Sequence, residues 1–262
     1  QIVVSVVGGE TIDLWVNPPQ IDETTAGLIL DRVGEYVNGK PLQLVVGETD
    51  FCGATLQMKE GVFIPRPETE QLVELTLKEL AHLGVQRPVV WDVGTGSGAI
   101  AIGLTQSGLD VTMVASELSD HSLTQARNNG LDNRSRIHWI RANLLSPCVR
   151  VGADLIVSNP PYVPSDEMVQ LPREVLWDPI AGLDGGVDGL AVAVQVIAQA
   201  RECLKAHGRL VLEVGESQAD QLRWMESGNW EQVEIFKDLV GRERFIVFRN
   251  PVRLAKKVEC RG

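Results

Sequence analysis

The sequence is short of cysteine, aromatic residues and positive charge, and each shortage excludes something. Its four cysteines, Cys52, Cys148, Cys203 and Cys260, stand far apart with no Cys-x-x-Cys pair, so neither a zinc site nor a disulfide framework is indicated. Reduced surroundings, a cytoplasm or an organelle matrix, suit such a set. Lys and Arg number 24 against 35 Asp and Glu, a net charge of −11 over 262 residues, which argues against gripping nucleic acid by broad phosphate neutralisation. No apolar run approaches a membrane span, and the first residues lack the basic flank and apolar stretch of a secretory signal. The chain opens on Gln1 rather than Met, and sequence upstream of it is expected. His82, His121, His138 and His207 show no metal-ligand spacing, so no metal site is expected.

What is present is enough for a sizeable core: 44% of residues are hydrophobic and 23% charged, the balance of a globular chain. Residues 1–16 are rich in Val and Ile and read as one or two short strands closed by Asn17-Pro18-Pro19. Leu28, Ile29, Val33 and Val37 have helical spacing, with Asn38-Gly39 as the stop. The β-prone pieces 42–46 and 54–64 suggest a small antiparallel element. Residues 1–66 thus form an N-terminal appendage with a short helix and a β-hairpin. From 67 to 250 short apolar strands alternate with amphipathic helices, which predicts an α/β fold with a doubly wound, mostly parallel sheet of seven strands. Strands are expected at 88–92, 111–116, 136–140, 153–158, 209–214, 230–236 and 243–248. Trp15, Trp139 and Trp177 read as packing residues. Arg134, Arg136, Arg141 and Arg150, and a basic tail at 251–262 with Arg253, Lys256, Lys257 and Arg261 against Glu259, read with Arg249 as solvated surface.

Two turns carry chemistry. Val89-Val90-Trp91 runs into Asp92-Val93-Gly94-Thr95-Gly96-Ser97-Gly98 and then at once into a helical pattern, a strand–turn–helix unit that brings backbone N–H groups against a ligand. Its GxGxG spacing is not the GxGxxG of dinucleotide folds, and no GK[ST] follows for a triphosphate. Glu117 ends the next strand roughly 20 residues on, where a carboxylate accepts ribose hydroxyls, so an adenosine-containing cofactor is favoured. Asp92 either orients that cofactor or satisfies the amides of its own turn. The run Asp154–Ser158 then delivers Asn159-Pro160-Pro161-Tyr162 to a strand's C-terminal end. Two prolines fix φ and lack N–H donors, so the Asn159 side-chain oxygen and the Pro160 carbonyl stand as rigid acceptors for one NH2 group, with Tyr162 as an aromatic wall. An earlier Asn17-Pro18-Pro19-Gln20 lacks the aromatic and the surrounding series and reads as a plain turn.

With these motifs the chain resembles the HemK/PrmC family of class I S-adenosylmethionine-dependent methyltransferases, over about Gly39 to Phe248. Further matching strings are Phe63–Glu70, Leu183–Leu190, Leu212–Gln218 and Lys237–Gly241. The resemblance implies methylation of a protein glutamine on its side-chain amide nitrogen, with S-adenosylmethionine as cofactor, S-adenosylhomocysteine as product and a translation release factor, modified in a Gly-Gly-Gln loop, as partner. It assigns Asp92, Gly94, Thr95, Gly96, Gly98, Glu117, Asn143 and Asn159 to the cofactor. Asn159, Pro160 and Tyr162 fall to catalysis, and with Pro161, Pro65 and Arg66 to the substrate. Asn143 stands where the family often has Asp, and Trp177-Asp178-Pro179 where it more often has Glu-Pro. Held by both N–H groups, the amide nitrogen is aimed by orientation and fixed dipoles, and its proton leaves after transfer without a dedicated base. Competing readings are a ribosomal protein as substrate, an adenine amino-methyltransferase acting on nucleic acid, and a non-catalytic cofactor-binding module.

Overall fold

The computed structural model describes residues 1–148 and 151–252. Arg150, Arg253, Lys256, Lys257, Glu259, Cys260 and Arg261 of the sequence readings lie outside them. The N-terminal part holds α1 (Ile2–Val7), α2 (Asp13–Val16), α3 (Glu23–Val37) and α4 (Leu42–Val46), then a hairpin of β1 (Glu48–Phe51) and β2 (Ala54–Gln57). Two of the strand expectations are corrected. Residues 2–7 and 13–16 are helical and none of 1–16 is strand, because a short β-branched run has no periodicity that separates strand from helix, and here α1 lies on α3, where Arg32 donates to Ser5 at 2.6 Å. Residues 42–46 are also a helix, bracketed by Pro41 and by Gly47 at φ +92, a Pro-before, Gly-after punctuation. Asn17 does end α2, and Asp22 caps α3 by accepting from the Thr25 N–H at 2.8 Å. Trp15 is 83% exposed and packs nothing, contrary to its reading.

The main domain follows as α5 (Pro67–Leu83), β3 (Val89–Val93), α6 (Ala99–Gln106), β4 (Thr112–Glu117), α7 (Asp120–Asp132), β5 (Ile137–Arg141), β6 (Ala153–Ser158), α8 (Ala191–Cys203), β7 (Leu204–Glu213), α9 (Gln218–Met225), β8 (Trp230–Lys237) and β9 (Glu243–Pro251). The seven strands pair in the order β5-β4-β3-β6-β7-β9-β8, with β9 antiparallel to both its neighbours and the other pairings parallel. Arg249 lies in β9, bonded to Glu79 and Glu234, and is not free surface.

Both faces of the sheet are covered, which is why β6 is buried along its whole length rather than alternating. Leu72, Ile100 and Ile102 pack on one face and Val196, Ile197 and Leu222 on the other. Each fully buried Leu, Ile or Val contributes roughly 1.5–3 kcal/mol of burial. The hairpin is bonded to the main domain by Asn129 of α7, which accepts from the Gln57 N–H at 2.9 Å and donates to the Ser97 carbonyl at 2.9 Å. Chain order reverses between β3 and β6, so a crevice opens at their C-terminal ends.

Candidate functional site

A cavity of about 540 Å³ occupies that crevice. Its walls come from the turn after β3, Glu117, the Ala142–Leu144 segment, Asn159–Pro161, Phe63 and Pro65, and Pro179–Gly182. In the glycine turn, the N–H groups of Gly94 and Thr95 both donate to the Ser116 carbonyl of β4, at 2.9 and 3.0 Å. Gly94 sits at φ +70 with open space where a Cβ would stand, so a bare backbone faces the cavity. Gly98 has a different place. A Cβ there would meet the Trp139 ring at 3.1 Å and the Ala126 backbone at 3.3 Å, so it serves the packing of α6 on α7 and does not line the cavity.

Asp92 lies beneath the turn and is fully buried. One oxygen accepts from the Thr95 hydroxyl at 2.5 Å and the Ala101 N–H at 3.1 Å, while the other has no partner among the described residues. Burial pushes its carboxyl up to about 7. Of its two sequence readings, the contacts are those of the brace for its own turn. Glu117 reaches the cavity wall. Its Oε1 accepts from the N–H groups of Leu118 (2.8 Å) and Ser119 (2.9 Å), and its Oε2 from Gly96 (3.0 Å), so a carboxylate with about four lone-pair sites keeps one for a ligand. Asn143 stands exposed at the rim.

Asn159 and Pro160 meet the same cavity from the end of β6. The Asn159 Nδ2 donates to the Thr69 hydroxyl at 3.2 Å, and that hydroxyl donates to Glu213 at 3.0 Å. No described group donates to the Asn159 Oδ1 or the Pro160 carbonyl, so two acceptors remain open. Tyr162 does not line the cavity: its ring lies under the Arg244 guanidinium, 5.8 Å from its centroid, and burial first, then the Glu213 charge, pushes its phenol up to about 12. Pro161 and Pro65 are wall residues, whereas Arg66 is drawn into an ion pair with buried Asp178, which also accepts from the Ile64 N–H at 2.9 Å.

Thr69, Glu213, Gly185, Gly189 and Gln218 also contribute and are not identified by sequence reasoning, although they lie within the matching strings Phe63–Glu70, Leu183–Leu190 and Leu212–Gln218. The Leu183–Leu190 string lies directly on the Asn159–Tyr162 turn: Val163 and Gly185 exchange backbone bonds with their neighbours across it at 2.9 Å. A Cβ at Gly189 would stand 2.3 Å from the Tyr162 carbonyl oxygen. Gln218 donates to that same oxygen at 2.9 Å. The turn is therefore braced on its outer side, facing away from the cavity.

An open sheet in this strand order, with a glycine turn after its first strand and an acid after its second, defines a class I S-adenosylmethionine-dependent methyltransferase fold. The hMettl16 catalytic domain aligns at a TM-score of 0.60 with 13% identity over 95% of each chain. The T. thermophilus 16S rRNA methyltransferase RsmC aligns at 0.55 with 18% identity, over 78% of this chain and 49% of that one. Both likenesses concern the fold alone. The pattern described as Methyltransferase small domain matches residues 54–177. Among curated proteins, a release factor glutamine methyltransferase of Nitratidesulfovibrio vulgaris is 36% identical over 91% of this chain and 83% of its own length. Its counterpart in Deinococcus radiodurans is 38% identical over 80% and 74%. The chain belongs to the release factor glutamine methyltransferase family.

Proposed function

We propose that this chain methylates the side-chain amide nitrogen of a glutamine in a translation release factor. The observation that carries the reading is the pair of open acceptors, Asn159 Oδ1 and the Pro160 carbonyl, on the wall of the cavity that the glycine turn also lines. The bare backbone at Gly94 and the remaining lone pair of Glu117 fit an adenosine-bearing cofactor. S-adenosylmethionine, when bound, supplies an electrophilic methyl group on a sulfonium.

Gly94, Thr95, Gly96 and Glu117 hold the cofactor, with Asn143 at the rim. Asn159 and Pro160 accept the two N–H bonds of the substrate amide and so fix the direction of its nitrogen, which is a poor nucleophile unless held. Their dipoles favour the positive charge that grows on that nitrogen as its bond forms. Tyr162 remains a neutral phenol at physiological pH, since its value lies near 12, and acts as a half-buried support of the turn. Pro65 and Phe63, tied through Arg66 to Asp178, wall the cavity against water. Among the described residues no helix is long and apolar enough to cross a membrane.

Incubating the protein with labelled S-adenosylmethionine and, separately, a release factor, a ribosomal protein and an adenine-containing duplex distinguishes the substrate classes. Label on a release-factor glutamine is expected. Asn159→Ala is expected to transfer almost none while its cofactor affinity persists. Label on nucleic acid alone, or full turnover by Asn159→Ala, overturns the proposal.

A further inference from the structure

We infer that Thr69 and Glu213 are positioning residues: the buried Glu213 carboxylate sets the direction of a hydrogen-bond chain through Thr69 that keeps the Asn159 side-chain oxygen facing the cavity. The inference rests on the amide-methylating reading and concerns which residues make it work.

The chain of donors has only one arrangement when Glu213 is ionised. A carboxylate accepts and cannot donate, so the Thr69 hydroxyl must give its single proton to Glu213, 3.0 Å away. Having used that proton, the hydroxyl can only accept from its other neighbour, and the group 3.2 Å away on Asn159 must be the NH2 end. The two ends of an amide are nearly equal in shape, so packing alone would not choose between them. The carbonyl end is thereby left for the ligand. With Glu213 protonated, its own O–H can donate to Thr69, the Thr69 hydroxyl is released to donate to Asn159, and the amide is free to turn its NH2 into the cavity. A donor facing a donor rejects the substrate NH2.

The surroundings allow such a switch to be felt. Glu213 is 1% exposed and Thr69 3%, so water does not scramble the chain. The charged and titratable groups that face Glu213 are Glu68 beside Thr69 on α5, Arg244 on β9 and Tyr162 of the Asn159–Tyr162 turn. Burial, the largest effect, opposes ionisation, as does Glu68; the bond from the Thr69 hydroxyl, the Arg244 charge and a bond from the Asn159 side chain favour the ionised form, and the carboxyl is raised to about 7. Since the form that aligns Asn159 is the ionised one, turnover should fall as pH drops through that value.

The experiment compares wild type, Glu213→Gln, Thr69→Val and Thr69→Ser. Two readouts are taken: kcat and KM for release-factor methylation, and the Asn159 side-chain amide resonances by 15N NMR without ligand. Thr69→Val, close in shape but without the hydroxyl, is expected to lose kcat roughly 100-fold, the scale of a misaimed reacting group. Cofactor affinity should hold, and Thr69→Ser should restore most of the rate. In wild type the Asn159 amide signals should shift with a midpoint near 7, and in Glu213→Gln that titration should vanish along with the acid limb of kcat. Asp92 titrates in the same range but persists in Glu213→Gln, so it cannot mimic the loss. Full kcat in Thr69→Val, or an Asn159 titration unchanged by Glu213→Gln, overturns the inference. The NMR arm needs no methyl transfer: if wild type failed to methylate any glutamine the activity reading would fall, while the amide titration would still judge the relay.

Discussion

Replacing Gly189 by alanine is expected to damage turnover far more than stability, and Gly84 supplies an internal control. Both glycines have positive φ, +73 and +64, where a side chain costs about 1–2 kcal/mol. At Gly84 a Cβ meets nothing within 4 Å, so Gly84→Ala should lose that amount and no more. At Gly189 the Cβ would stand 2.3 Å from the Tyr162 oxygen, 2.5 Å from the Gln218 Nε2 and 3.1 Å from the Tyr162 carbonyl carbon. Relief to an ordinary contact needs a shift of roughly 1 Å. The atoms in the way are backbone of the Asn159–Tyr162 turn and the Gln218 amide that holds it. Overpacking of this kind costs a further ~1–3 kcal/mol, for a total of about 2–5. The same displacement at the acceptor pair should lower kcat roughly 100-fold. Urea denaturation gives the first quantity and initial rates on a release factor the second. Equal destabilisation of the two variants, with kcat unchanged in Gly189→Ala, would refute the claim that this loop braces the acceptors.

Other perturbations test other parts of the site. Burial lifts the Asp92 carboxyl from 3.8 to about 7, so between those values the folded chain holds a proton the unfolded chain has lost, and stability falls as pH rises through that window. Asp92→Asn removes this dependence, and its stability relative to wild type should rise by up to about 4 kcal/mol between pH 4 and 7; a difference that stays constant in urea titrations across that range would contradict it. Asp178→Ala strands the Arg66 guanidinium and the Ile64 N–H and should cost about 2–3 kcal/mol, whereas Arg87→Ala, at an ion pair 68% and 82% exposed, should cost under about 0.5. Thermal melts that place the two together would count against the clamp. Glu117→Gln should weaken S-adenosylmethionine binding by about 1.5–3 kcal/mol, roughly ten- to hundredfold by titration calorimetry, with the fold intact.

The main domain was legible in the chain because its signals are local. Apolar runs such as Leu155–Val157 must become buried strands wherever they occur, glycines at 94, 96 and 98 announce a turn no other residue makes easily, and Pro160-Pro161 stiffens its own neighbourhood. The N-terminal part was misread where signals are weakest. Ile2–Val7 carries too short a run to show a period, and the Pro41–Gly47 bracket of α4 encloses β-prone residues whose propensity points the other way.

What the sequence determined by itself is the sheet, the two turns at its C-terminal edge and the residue types that stand there. Tertiary structure alone decided which of them face the cavity: it placed Gly98 in a helix contact, Asp92 under the turn, Tyr162 against Arg244 and Arg66 on Asp178. It also joined Asn159 to Thr69, 90 positions earlier, and Thr69 to Glu213, 144 positions later. Backbone preference acts within a few residues, whereas the partner of a buried polar group is chosen by whatever the fold brings within hydrogen-bonding distance, and that distance is not written in the order of the chain.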